Sequence, residues 1–212
     1  MRKKELYEQV LSYFKATMDD TETELHFSNP FELLVAVILS AQCTDKRINQ
    51  VTPALFSDYP TPEAMAVSTP EVIYEYIRTV SYPNNKARHL VGMAQMLVKD
   101  FHGDVPSTLE ELTRLPGVGR KTANVVMLEA FGIADGIAVD THAKRISNLI
   151  GLSYEKDPEK IEQDLLKIFP KKYLKDVNHL LVYHGRNTCI ARKPNCNVCP
   201  IKNYCNYFKE NI

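Results

Sequence analysis

Lys121 and Asp140 are the side chains best suited to covalent chemistry, and they stand in Leu115-Pro116-Gly117-Val118-Gly119-Arg120-Lys121-Thr122-Ala123 and in Val139-Asp140-Thr141-His142. A neutral amine attacks carbon and forms a Schiff base, while a carboxylate can assist proton removal or steady a developing positive charge. Lys121 falls in the first turn of a predicted helix, where the positive end of the dipole and the neighbouring Arg120 both disfavour its charged form. A lysine that pairs with phosphate and an aspartate that caps a helix are the commoner uses of these residues. Asp140, placed before Thr141, can cap and catalyse at once.

The flanking residues must position this pair. Ser107-x-x-Glu110 has the form of a capping box opening a helix through Leu109, Leu112 and Leu115, and Ala123, Val126 and Ala130 continue at helical spacing. Pro116-Gly117-Val118-Gly119 therefore joins two helices. Its glycines allow positive φ and let backbone N–H groups approach a ligand with no Cβ in the way, which suits an anion such as phosphate.

A second cluster of reactive side chains lies near the end of the sequence, where Cys189, Cys196, Cys199 and Cys205 follow the spacing C-x6-C-x2-C-x5-C. Such a group binds either a tetrahedral zinc or an iron–sulfur cluster. Spacing does not decide between them, and the frequency of structural zinc sites favours zinc. No acidic residue occurs between Val177 and Lys209, whereas Arg186, Arg192, Lys193, Lys202 and Lys209 do. These cations can offset thiolate charge or meet the phosphates of a nucleic acid.

Across the whole chain of 212 residues, 26 Lys and Arg balance 26 Asp and Glu, so nucleic-acid binding has to come from local patches. Met1–Asp20 shows no basic-then-apolar leader, and the longest apolar run, Leu33–Leu39, is too short to cross a bilayer; a cytoplasmic protein is expected. Lys4–Phe14 reads as an amphipathic helix with Leu6, Val10, Leu11 and Phe14 on one face. Asn29-Pro30 starts a helix that is apolar on nearly every side through Leu39, the expected centre of its domain. Ser40–Asp45 turns polar at its end, before Ile48, Val51 and Leu55 resume a stripe. Thr61-Pro62-Glu63 and Thr69-Pro70-Glu71 are further helix starts, the second running through Val72, Tyr76 and Val80. Lys86–Asp100 is periodic through Leu90, Met93, Ala94 and Leu97, and later helices are expected near Thr141–Leu149, Pro158–Phe169 and Val177–His184. With about ten short helices and no period-two strand, the chain reads as all-α.

Taken together, Leu-Pro-Gly-Val-Gly-Arg-Lys-Thr-Ala at 115–123, Val-Asp-Thr-His at 139–142, Leu-Ser-Ala-Gln at 39–42, His-Gly-Arg at 184–186 and the cysteine loop resemble the endonuclease III family of DNA glycosylases, within the helix-hairpin-helix superfamily. The resemblance spans essentially the whole chain. It implies two helical domains with a DNA cleft between them: a six-helix barrel with the helix-hairpin-helix at 22–133, and an iron–sulfur domain formed by 1–21 and 134–212. It also implies a 4Fe–4S cluster in place of zinc, structural and engaged with DNA rather than with bond cleavage. The partner implied is damaged double-stranded DNA, met by a monomeric, nucleoid-associated bacterial enzyme without a membrane.

The reaction implied is excision of oxidised pyrimidines followed by strand cleavage through a lysine Schiff base, with Lys121 and Asp140 catalytic. Gly117, Gly119, Arg120, Arg192 and Lys193 would contact DNA, and Gln42 would enter the gap left by the extruded base. The resemblance breaks at Ser81-Tyr82-Pro83-Asn84-Asn85, where the family usually carries Gly-Leu-Tyr-Asn. Tyr82 stands in the place of a leucine wedge and can replace it by stacking. Cys43 stands where alanine is common and is read as a small buried side chain. Lys121 argues against the monofunctional mismatch glycosylases of this fold, and Lys121, Asp140 and four cysteines together argue against a hairpin that only grips phosphate.

Overall fold

Proline and short polar side chains set where the helices begin. Pro30, Pro62, Pro70, Pro83 and Pro158 each lie in a first helical turn, where the missing N–H is no loss and the ring pre-sets φ. The computed structural model describes residues 8–13, 16 and 23–211. Among these the chain forms α1 (Pro30–Ser40), α2 (Asp45–Asp58), α3 (Pro62–Ala66), α4 (Pro70–Ile77), α5 (Pro83–Phe101), α6 (Leu109–Arg114), α7 (Arg120–Phe131), α8 (Thr141–Ile150), α9 (Pro158–Ile168), α10 (Leu174–Asn187) and α11 (Asn206–Asn211), with three short 3₁₀ turns. Residues 8–13 are also helical, and no strand occurs among the described residues.

Two compact units result, Glu22–Ile133 and Met1–Thr21 with Ala134–Ile212. In the first, α1 is the buried centre: Phe31 and every residue from Leu33 to Leu39 are inside. It packs against α2, α5 and α7, while α3 and α4 lie on α5 and α6 meets α7. In the second, α8 packs against α9, α10 and α11 around Ile146, Ile150, Ile161, Leu165, Val177 and Leu181. Val10 and Leu11 join this second core; Leu6 and Phe14, the other members of the expected N-terminal stripe, lie outside the described residues.

Two local expectations are corrected. The capping box at the start of α6 is Thr108 with Glu111, one residue later than Ser107 with Glu110: Thr108 Oγ1 accepts from Glu111 N at 3.3 Å and donates to Glu111 Oε2 at 2.7 Å. Both pairs satisfy the same pattern, so sequence alone cannot separate them. On α4 the buried face is Ile73 and Ile77 rather than Val72 and Tyr76. Tyr76 keeps its hydroxyl outside to donate to Asp58, which leaves the neighbouring isoleucine stripe for the core.

Leu34, with no exposed surface at the centre of α1, should lose roughly 2–5 kcal/mol of stability on replacement by alanine, read from urea unfolding.

Candidate functional site

The turn between α6 and α7 is built to expose backbone. Gly117 adopts φ +81, and a Cβ there would lie 2.9 Å from the His89 side chain, so conformation and space both demand glycine. Gly119 differs from the expectation of positive φ. It is an extended N-cap at φ −91 with nothing within 4 Å of where a Cβ would stand. Its role is to leave open the space before the first turn of α7, where no side chain caps the helix. Arg120 is half-buried and Lys121 exposed in that turn. A helix start that no side chain among the described residues caps, with an exposed lysine beside it, is a site for an anion.

Asp140 is the N-cap of α8. Its Oδ1 accepts from Ala143 N at 2.8 Å, and the residue is half-buried. One carboxylate oxygen is therefore fixed by the helix while Oδ2 makes no hydrogen bond among the described residues. Capping orients the group and leaves its second oxygen open.

Gln42 and Tyr82, proposed from the sequence to meet the opened duplex, share an uncommon backbone. Both are left-handed, at φ +56 and +55, and both are exposed, Tyr82 to 63%. For residues with a Cβ this conformation costs roughly 1–2 kcal/mol each, so the surroundings must hold it. Sequence reasoning missed the residue that does so. Lys86 is buried, and its Nζ donates to Leu39 O at 2.8 Å and Ala41 O at 2.7 Å, while Ser81 Oγ donates to Gln42 O at 2.6 Å. Burial lowers the pKa of the Lys86 amine, and Cys43 beside it acts the other way. The overlooked signal was a lysine on the apolar stripe that continues through Leu90, Met93 and Leu97. Cys43 itself is half-buried and packs against the α1 core.

The four clustered cysteines line one cavity, together with Leu149, Ile150, His184 and Phe208. Burial pushes the Cys189 thiol up to about 11, and burial likewise raises Cys199 and Cys205; the other thiols add to each shift. Four mutually repelling sulfurs in one cavity call for a cationic group to hold them as thiolates. The cavity bordered by all four cysteines is the place for such a group. Arg145, from α8, was not foreseen as part of this region. Its guanidinium donates to Gly185 O at 2.9 Å and Cys189 O at 2.7 Å, and its charge favours the Cys189 thiolate. His184 is 2% exposed, with Nε2 at 3.8 Å from Cys199 Sγ, and burial and then the Arg145 charge lower its pKa to about 4. Arg192 and Lys193 are exposed in the loop after Cys189.

The profile of HhH-GPD superfamily base excision DNA repair proteins matches residues 35–171, and that of the iron–sulfur binding domain of endonuclease III matches residues 189–205. The latter overturns the zinc that cysteine spacing favoured: the cofactor is the 4Fe–4S cluster. The chain is similar to endonuclease III of Synechocystis sp., 44% identical over 203 residues covering 96% of this chain and 93% of that protein. It is 43% identical to endonuclease III of Escherichia coli K12 over 204 residues, 96% of each chain. A solved structure of a trapped endonuclease III–DNA covalent intermediate matches with a TM-score of 0.91 at 39% identity, covering 99% of this chain and 98% of that one.

Gly117→Ala should destabilise the protein by about 1–2 kcal/mol through left-handed strain alone, with the His89 overlap adding to it. Gly119→Ala should change stability by less than about 0.5 kcal/mol yet weaken DNA binding; urea unfolding and a filter-binding titration separate the two. In the cysteine loop only Ile201 and Cys205 are buried apolar residues, so ligation has to supply most of its folding energy. Cys199→Ser should therefore lose bound iron and most of the soluble yield, read by metal analysis and by recovery after centrifugation.

Proposed function

Because the chain belongs to the endonuclease III family of HhH-GPD base excision repair proteins, we propose that it is a bifunctional DNA glycosylase and abasic-site lyase that removes oxidised pyrimidines from duplex DNA. The observation that carries this reading is the exposed Lys121 at the uncapped start of α7. In the proposed mechanism its neutral amine attacks C1′ of a flipped-out nucleotide, and the C1′–N bond breaks with its electrons leaving on the base. The attached nitrogen then gives up a proton and the C1′–O4′ bond opens, O4′ taking up a proton as the sugar ring breaks, and the resulting imine acidifies the proton on C2′. Loss of that proton expels the 3′ phosphate, and water then releases Lys121 from the sugar.

Asp140 would assist deprotonation of the amine and stabilise the positive charge that grows on the sugar as the base departs. Its Oδ1 bond to Ala143 N holds the group in place. The open amides at Gly117 and Gly119, with Arg120, Arg192 and Lys193, would grip backbone phosphates, and Gln42 and Tyr82 would fill the vacated stack. Cys189, Cys196, Cys199 and Cys205 would hold the cluster, whose iron–thiolate bonds tie the loop together. The enzyme would work as a monomer. No helix among the described residues is long and apolar enough to cross a membrane.

Borohydride should trap a covalent complex between the protein and an oligonucleotide bearing an oxidised pyrimidine, and Lys121→Gln should abolish both trapping and strand cleavage. Persistent trapping in that variant would move the nucleophile elsewhere. Asp140→Asn keeps a competent N-cap, so its stability should hold while base excision falls by about 10²–10³-fold or more. Near-normal turnover would leave Asp140 a cap alone.

A further inference from the structure

We propose that Lys86 is the positioning residue that joins the Gln42 turn and the Tyr82 turn into one preformed wedge; this rests on the reading of Gln42 and Tyr82 as the groups that enter the opened duplex. The connection runs through a single residue. Lys86 N donates to Tyr82 O at 3.1 Å, closing the first turn of α5, while Lys86 Nζ donates to Leu39 O and Ala41 O on either side of the α1 terminus. Ser81 Oγ adds the bond to Gln42 O. Gln42 and Tyr82 are thus held from both sides by the same short stretch, residues 81–86.

The side chains at stake are free for a ligand. The Gln42 amide makes no hydrogen bond among the described residues, and the Tyr82 ring is largely exposed. Two left-handed residues in separate turns would relax independently if nothing linked them. A wedge that must hold a stack open gains from being ordered beforehand, because no side-chain or turn freedom is then lost on insertion. Lysine suits the task for a chemical reason. Its apolar stem lies along the core stripe of α5, and its amine still reaches two carbonyls at a helix end, where the dipole favours positive charge.

The experiment compares Lys86→Met and Ser81→Ala with wild type on a duplex abasic site and on the same site in a single strand, where no stack has to be broken. Expected for Lys86→Met is a loss of about tenfold in trapping rate on the duplex and less than about threefold on the single strand. Ser81→Ala should shift the ratio in the same direction by a smaller factor, and it decides the matter if Lys86→Met does not fold. Equal losses on the two substrates would reduce Lys86 to a core residue and overturn the proposal. A second arm is independent of the lyase chemistry: a fluorescent adenine analogue opposite the lesion should brighten when wild type binds and stay quenched with Lys86→Met at saturating protein. Equal brightening overturns the proposal even where no trapping is seen. No brightening change with either Gln42→Ala or Tyr82→Ala would sink the wedge reading itself and this assignment with it.

Discussion

A buried helix leaves carbonyls at its end that have no partner within the helix. At the end of α1 four carbonyls have named partners. Val37 O receives Ser40 Oγ, Ser40 O receives Cys43 N, and Leu39 O and Ala41 O both receive Lys86 Nζ. A buried acceptor left alone costs about 1–3 kcal/mol, so the amine from α5 is needed by the core as well as by the surface above it. Satisfying the helix end also sets the distance between α1 and α5. The exposed turns inherit their geometry from that constraint.

The same economy of charge governs the cysteine loop. Four sulfurs in one cavity repel one another and resist ionisation, and three of them have a cation of their own: Lys202 favours the Cys199 thiolate, Lys209 that of Cys205, and Arg145, on a helix outside the loop, that of Cys189. By bonding Gly185 O and Cys189 O it also ties the end of α10 to the first cysteine. Arg192 and Lys193, in the same loop, are exposed instead. Under the proposed function, charge neutralisation within the protein and charge offered to a nucleic acid would be divided between different residues.

Helix starts are legible in this sequence because proline and N-cap side chains act within three or four residues of where they stand. Asn29, Thr61, Thr69 and Asp157 cap where their patterns place them. Ser107 and Thr108 show the limit of that locality, since two overlapping pairs obey one rule. Lys86 and Arg145 mark a different limit: their acceptors lie 45 and 47 residues away in one case and 40 and 44 in the other, and no periodicity encodes such partners. Cysteine spacing likewise names the ligand type without the nuclearity of what is bound. The family motifs carry Lys121 and Asp140, whereas the frame that supports Gln42 and Tyr82 becomes visible only in three dimensions.

The two units differ in how the chain closes them. Glu22–Ile133 is continuous, whereas the other unit takes residues from both sides of it, and Tyr13 meets His184 across a separation of 171 residues. Continuous segments fold as they emerge from synthesis, but contacts of such high order must first overcome the entropy of closing a long loop. His184 lines the cysteine cavity and also receives the N-terminal tyrosine. All four cysteines of that cavity lie beyond residue 188, so residues 22–133 are synthesised before any of them.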